Sequence, residues 1–90
     1  VNSVTGEQGM IDALKMQALA AEKLGLPNEM VGVASTGLIG ELLPMPTIAK
    51  GIEQLQLLDN GYVTEAVLTT DKHAKTITTQ VEISGKTVTI

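Results

Sequence analysis

Thr36 and Gly37 are adjacent and offer a side-chain hydroxyl and an unhindered backbone N–H. Of the residue types in this chain, these are the best suited to catalytic chemistry. The segment before them, residues 30–35, is short, apolar and partly β-branched, which predicts a buried strand that ends at a turn. Glycine has no Cβ, so its N–H can approach a ligand closely. Two neutral donors at a strand end can stabilise a carbonyl oxygen that is becoming an oxyanion. An ordinary Ser-Thr-Gly turn explains the same residues, so the local pattern leaves both interpretations open.

A second hydroxyl-rich turn, Thr69-Thr70-Asp71, places two hydroxyls and a carboxylate at the predicted end of a short helix. Its spacing alone is typical of a helix C-terminus with local side-chain hydrogen bonds. The single histidine, His73, has lysines as neighbours and no acid spaced to orient it, so we predict a solvated loop position rather than a catalytic base. The chain has no cysteine and therefore no Cys/His cluster, and we expect no metal site.

Composition limits the classes of function open to the chain. Apolar residues make up 43% of its 90 residues, but Tyr62 is the one aromatic, so any core is aliphatic. Such a core is marginal by itself, and we expect a partner surface. A formal net charge of −4 without a basic run argues against nucleic acid. No apolar stretch reaches membrane-spanning length. We interpret residues 1–90 as a single fragment, because the chain starts without Met and stops within a predicted strand.

The first element that positions these turns is a long helix. Thr5 and Gln8 have the spacing of a capping box, and the helix is predicted to run to about Leu24, with Gly25 as its left-handed C-terminal residue. Apolar residues at helical spacing predict one buried face. That face comprises Ile11, Leu14, Ala18 and Ala21, with Met10 and Leu24 beside them.

Two shorter helices are predicted next. The second helix starts at residues 44–46, where Pro46 suits the first turn, and Leu58 closes it. Gly51 inside this helix indicates close packing against a neighbour. Residues 59–61, Asp-Asn-Gly, form a turn signal, and a short helix follows over residues 62–68. Its inward residues are expected to be Val63, Ala66 and Val67.

The C-terminal residues alternate with period two and predict a β-hairpin. Ser84-Gly85 forms the two-residue turn, which fixes the register and places the apolar residues on one face. The predicted pairs are Ile83 with Lys86, Val81 with Val88, and Thr79 with Ile90. The element order predicts an α/β (α+β) fold in which helices pack on one face of a small mixed sheet.

Four stretches, taken together, resemble one protein family. Residues 5–9 read Thr-Gly-Glu-Gln-Gly, residues 34–41 read Ala-Ser-Thr-Gly-Leu-Ile-Gly-Glu, residues 43–45 read Leu-Pro-Met, and residues 69–71 read Thr-Thr-Asp ahead of Lys75. In this order and spacing they resemble the bifunctional ornithine acetyltransferase/glutamate N-acetyltransferase family of arginine biosynthesis. The resemblance covers nearly the whole chain.

The resemblance implies a mechanism within a larger layered fold of the N-terminal-nucleophile type. A precursor cuts itself before a Thr, whose hydroxyl attacks the acetyl carbonyl of N-acetylornithine, and glutamate then takes the acetyl group from the acetyl-enzyme. The family's Ser-Thr-Gly turn supplies the oxyanion donors, which implies Thr36 and Gly37 here. The first Thr of its Thr-Thr-Asp contacts substrate, which implies Thr69.

The resemblance also implies the surroundings of this chain. Its partners would be the remainder of an α chain and a β chain that carries the Thr nucleophile, in a cytoplasmic heterotetramer. No cofactor is implied, although some family members take acetyl-CoA as acetyl donor. The nucleophile's Ala-Thr-Met-Leu stretch is absent, so we expect the chain alone to be inactive. Two alternatives stay open: a non-catalytic α/β interaction module, and part of a related Thr- or Ser-nucleophile amidase or aminopeptidase, because oxyanion donors serve any acyl transfer.

Overall fold

The computed structural model describes residues 1–58 and 61–90, which form two compact units, Val1–Asp59 and Asn60–Ile90. The first unit contains α1 (Gly6–Leu24), a 3₁₀ turn (Asn28–Met30) and α2 (Met45–Glu53). The second contains α3 (Tyr62–Ala66), β1 (Gln80–Ile83) and β2 (Lys86–Thr89). This mixture of helices and a small antiparallel sheet confirms the α+β class. The turn signal at residues 59 and 60 lies outside the described residues.

The helix α1 ends at Leu24, as the sequence predicts. Gly25 adopts the left-handed conformation, with φ 66° and ψ 34°. Its N–H donates to the Glu22 carbonyl at 3.2 Å, and the Leu26 N–H donates to the Ala21 carbonyl at 2.9 Å. These two bonds form a Schellman motif, which satisfies carbonyls that the helix itself leaves free.

The predicted capping box at the start of α1 is wrong. The Thr5 side chain makes no capping hydrogen bond. It lies instead over Gly9, where it fills the space that a Cβ on that glycine would take. Gln8 donates from Nε2 to Asp12 Oδ1 at 2.9 Å and does not reach back. The two side chains of the predicted box therefore both point along the helix.

The predicted apolar face of α1 is also wrong over its first turns. Ile11 and Leu14 are each 56% exposed, whereas Asp12, a charged residue outside the predicted face, is only 6% exposed. Ala21 is buried as predicted. The helix packs against α2 and the 3₁₀ turn, and its buried residues are Gly9, Asp12 and Ala21. Periodicity identifies a stripe, but it does not say which stripe receives a neighbour.

The second helix begins as the sequence predicts and ends early. Pro46 lies in its first turn, where no N–H is needed, and Met45 is buried at the start of the helix. The helix stops at Glu53 instead of continuing toward Leu58. The close packing expected at Gly51 is absent within the described residues, because a Cβ there would meet nothing within 4 Å.

The buried strand predicted over residues 30–35 does not form. Met30 closes the 3₁₀ turn, and the residues after it run without strand structure, with Val33 38% exposed. A strand exists through hydrogen bonds to a neighbouring strand, and no partner strand lies beside this segment in the described parts of the chain. The segment is held by side chains instead, for example by Gln17 Nε2, which donates to the Val31 carbonyl at 2.8 Å.

In the second unit the hairpin has the predicted register. Val81 pairs with Val88 and Ile83 with Lys86, and residues 79 and 90 exchange two 2.9 Å backbone hydrogen bonds. Ser84 and Gly85 have φ values of 50° and 75°, as a type I′ turn requires. The described sheet is this two-stranded antiparallel hairpin, not the mixed sheet that we expected. The short helix α3 exposes Val63 and Val67, which were expected to face inward.

Candidate functional site

The candidate donors lie on an exposed turn that we call the 35–40 turn, after its residues. Thr36 and Gly37 are both exposed. Among residues 1–58 and 61–90, no group forms a hydrogen bond with the Thr36 hydroxyl or with the Gly37 N–H. Gly37 has φ 143° and Gly40 has φ 83°, values that side-chain-bearing residues rarely adopt. Two adjacent hydrogen-bond donors are thus presented outward on a glycine-dependent turn.

The N-terminal segment holds the 35–40 turn at both ends. The Asn2 N–H donates to Ser35 Oγ at 3.1 Å. The Gly40 N–H donates to the Ser3 carbonyl at 2.9 Å. The two bonds bracket Thr36 and Gly37. The ends of the turn are fixed while the donors between them stay uncovered.

The N-terminal segment also passes close to Gly37. A Cβ added at Gly37 would lie 3.1 Å from the backbone nitrogen of Val1, tighter than ordinary contact. Next to Val1, the Nδ2 and Oδ1 atoms of Asn2 are buried and have no hydrogen-bond partner in the described part of the chain. A buried amide without a partner is costly, so its presence beside this turn is a feature that packing alone does not explain.

This arrangement has one feature that an oxyanion-stabilising site needs, namely neutral donors without other protein partners in the described chain. Such a site needs preorganised neutral donors that do not have to break other bonds when charge develops. A hydroxyl and an amide in sequence, uncovered and held from both sides, fit that description. An ordinary exposed turn would leave the same donors to water, so both interpretations agree with the described hydrogen bonds. The role of Thr36 and Gly37 stays a prediction.

Thr69 belongs to the second unit, in the bend after α3, and is exposed. Neither Thr69 nor Thr70 makes the local side-chain hydrogen bonds that its spacing favours, as far as residues 61–90 are described. Asp71 forms an ion pair with Lys75, four residues on. His73 is exposed, in agreement with a solvated loop position.

The residues that hold the 35–40 turn are not predictable from the sequence. Ser35 was visible only as a neighbour of Thr36, and Asn2 and Ser3 carried no signal at all. The bond between Asn2 and Ser35 joins residues 33 positions apart, which no local pattern can indicate.

A pocket lined in part by Asn2, Thr5 and Gly9 adjoins the N-terminal segment that holds the 35–40 turn, whereas the groove between α1 and α2 does not extend this site. That groove has a volume of about 580 Å³ and is lined by apolar and charged side chains such as Leu19 and Glu22, and it includes no residue of the 35–40 turn. No three His, Cys, Asp or Glu residues cluster as a metal site within the residues that the structure describes. Over the same residues, no helix is long and apolar enough to cross a membrane.

A comparison with known protein families decides the relationship that the sequence motifs indicate. The family model described as ArgJ matches residues 1–90, the whole chain. This chain belongs to the ArgJ family. The family resemblance inferred from the sequence is therefore confirmed, and the name ArgJ is used for the family below.

Individual ArgJ relatives agree with the family match. The arginine biosynthesis bifunctional protein ArgJ of Lactiplantibacillus plantarum is 53% identical over 89 residues, and that of Listeria monocytogenes serotype 4b is 50% identical over 91 residues. Each alignment covers 99% of this chain but only 22% or 23% of the relative. The chain thus spans less than a quarter of the length of these ArgJ proteins.

A solved structure shares the fold. The crystal structure of the arginine biosynthesis bifunctional protein argJ from Bacillus halodurans aligns with a TM-score of 0.71 and 40% sequence identity. The alignment covers 96% of this chain and 47% of that one.

Proposed function

We propose that this chain is the part of an ArgJ acetyltransferase that supplies the oxyanion hole. The complete protein would move an acetyl group from N-acetylornithine to glutamate through a Thr acetyl-enzyme. One observation carries the proposal: the Thr36 hydroxyl and the Gly37 N–H are adjacent, exposed and free of other hydrogen bonds in the described chain, on a turn held at both ends. Family membership supplies the reaction class.

Within that reaction, Thr36 and Gly37 act when the acetyl carbonyl becomes tetrahedral. The oxygen of a Thr outside residues 1–90 forms a bond to the acetyl carbon, and the carbonyl oxygen gains negative charge. Thr36 and Gly37 each donate a hydrogen bond to that oxygen. The C–N bond to ornithine then breaks, and the proton lost by the Thr hydroxyl ends on the departing amine. The same two donors serve again when the glutamate amine attacks the acetyl-enzyme.

The magnitude of this contribution is large enough to measure. Removing one donor from an oxyanion hole costs about 3 kcal/mol of transition-state stabilisation, or about two orders of magnitude in rate. Because the donors bind charge that exists only in the transition state, the loss falls on kcat rather than on KM. Thr69 is assigned to substrate binding, where its loss falls on KM.

The partners follow from the same proposal. The remainder of the α chain and a β chain that carries the nucleophile, released by self-cleavage, would surround this segment in a cytoplasmic heterotetramer. The exposed apolar residues of the first unit, such as Met10, Ile11 and Leu14, support a segment that larger surroundings cover. No cofactor is proposed, with acetyl-CoA as an alternative acetyl donor.

The test uses the complete polypeptide that contains this sequence. Supplied with N-acetylornithine and glutamate, it is expected to form N-acetylglutamate and ornithine in equal amounts. Thr36→Ala should lower that rate about a hundredfold and leave folding unchanged. Release of free acetate without transfer to glutamate would favour the amidase or aminopeptidase alternative. Transfer at an unchanged rate in Thr36→Ala would refute the assignment of the donors.

A further inference from the structure

We propose that Ser35 is a positioning residue, whose hydroxyl fixes the two oxyanion donors by accepting a hydrogen bond from the N-terminal segment. This inference rests on the proposed function, since it concerns the same turn. Ser35 touches no reacting atom in the proposal. It acts through the backbone that leads directly into Thr36 and Gly37.

The proposal is based on a hydrogen bond between two parts of the chain that are distant in sequence. Ser35 Oγ accepts the Asn2 N–H at 3.1 Å across 33 residues. Ser35 is half-buried, whereas the residues from Thr36 to Gly40 are exposed. The hydroxyl is therefore the last inward contact of the chain before the donors. Beyond them, the next hydrogen bond from the turn among residues 1–58 and 61–90 is that of the Gly40 N–H to the Ser3 carbonyl.

The turn needs such a tie because its own backbone does not hold it. Gly37 and Gly40 both have positive φ, and glycine is the residue least restricted in that region. The segment before the turn has no strand partner among the described residues. Without the bond at Ser35, the peptide that carries the Gly37 N–H would be free to move. Misplacement of a catalytic group by about 1 Å can cost about a hundredfold in rate.

This hydrogen bond requires a hydrogen-bond acceptor in the side chain of residue 35. The donor is a backbone N–H, which every residue except proline at position 2 supplies, so the demand falls on the acceptor. Thr retains an acceptor hydroxyl at the same place, Cys offers a weaker sulfur acceptor of similar size, and Ala offers none. The order of activity at position 35 should therefore be Ser and Thr above Cys, and Cys above Ala.

The experiment compares Ser35→Ala, Ser35→Cys and Ser35→Thr in the complete polypeptide, with Ser84→Ala as control. Ser84 lies in the hairpin turn of the second unit, so its variant removes the same atom outside the 35–40 turn. For acetyl transfer from N-acetylornithine to glutamate, we expect Ser35→Ala to lower kcat about tenfold with KM within about twofold. Ser35→Thr and Ser84→Ala should retain the wild-type kcat, and Ser35→Cys should fall between. Thermal unfolding of each variant shows whether it is folded. If Ser35→Ala does not fold, the Cys and Thr variants decide.

A double-mutant cycle that combines Ser35→Ala with Thr36→Ala distinguishes failure of this inference from failure of the proposed function. If Ser35 acts through the donors, Ser35→Ala should lower kcat less in the Thr36→Ala background than in the wild type. Full activity of Thr36→Ala overturns the proposed function. A large loss in Thr36→Ala, combined with wild-type kcat in Ser35→Ala or an equal fall in Ser35→Thr, overturns the role of Ser35 alone.

Discussion

The Thr5 side chain lies against the backbone of Gly9, one turn further along α1. A Cβ added at Gly9 would be 1.8 Å from Thr5 Oγ1 and 2.7 Å from Thr5 Cβ. Rotation of the Thr5 side chain moves its hydroxyl but not its Cβ, so any side chain at position 9 must displace the backbone at Thr5. Because the segment that ties the 35–40 turn comes directly before Thr5, this contact connects the start of α1 with the candidate site.

Gly9→Ala is therefore expected to destabilise the chain, although alanine is the better helix former. The clash outweighs the gain of about 1 kcal/mol that helix propensity alone would give. Gly51→Ala is the matched control, since Gly51 lies inside α2 with open space around it. Urea unfolding of the complete polypeptide, followed by far-ultraviolet circular dichroism, should show opposite signs for the two variants. Stabilisation by both would contradict the close contact at Gly9.

The buried carboxylate of Asp12 provides a second prediction. Asp12 accepts a hydrogen bond from Gln8 Nε2, and it is 6% exposed. Gln8→Ala leaves this carboxylate without that partner and should lower the free energy of unfolding by about 1–3 kcal/mol. Gln54→Ala, at the exposed end of α2, is expected to change it by less than about 0.5 kcal/mol. Equal effects of the two variants in urea unfolding would show that the bond contributes nothing.

The hairpin turn yields a prediction that is local to the second unit. Gly85 has φ 75°, a conformation that costs other residues about 1–2 kcal/mol. Gly85→Ala should weaken the pairing of Val81 with Val88. Nuclear Overhauser effects between these two residues report the register directly. Undiminished cross-strand signals in Gly85→Ala would contradict the assigned turn.

The proposed substrate contact at Thr69 can be distinguished from the oxyanion donors by its effect on KM rather than on kcat. In the complete polypeptide, Thr69→Ala should raise KM for N-acetylornithine about fivefold, as expected for loss of one hydrogen bond, and change kcat little. Thr70→Ala is the control, because Thr70 is the exposed neighbour with the same hydroxyl. The same KM change in both variants, or a change in kcat alone, would argue against a substrate contact at Thr69.

Local signals in the sequence predicted the elements whose structure is itself local. The left-handed Gly25 and the register set by Ser84 and Gly85 depend on residues within a few positions, and both formed as predicted. The start of α2 at Met45 also follows from its neighbouring prolines. These features depend on backbone conformation, which a short stretch of sequence determines.

The features that the sequence did not predict depend on distant partners. A strand at residues 30–35 requires a second strand to pair with, and the buried face of α1 depends on what packs against that helix, which includes α2 and the 3₁₀ turn. Asp12 is buried despite its polarity. For the candidate site, the adjacent donors could be identified from residue type. The bond from Asn2 that holds Ser35 could not, because nothing near either residue indicates the other.

Steady-state kinetics of Thr36→Val and Thr36→Ser in the complete polypeptide test the central claim most directly. Valine keeps the shape of threonine without its hydroxyl, and serine keeps the hydroxyl without the methyl group. If the Thr36 hydroxyl stabilises the oxyanion, Thr36→Val should lower kcat about a hundredfold at nearly constant KM, and Thr36→Ser should stay within a few-fold of wild type. Acetyl transfer by Thr36→Val at the wild-type kcat would contradict the account.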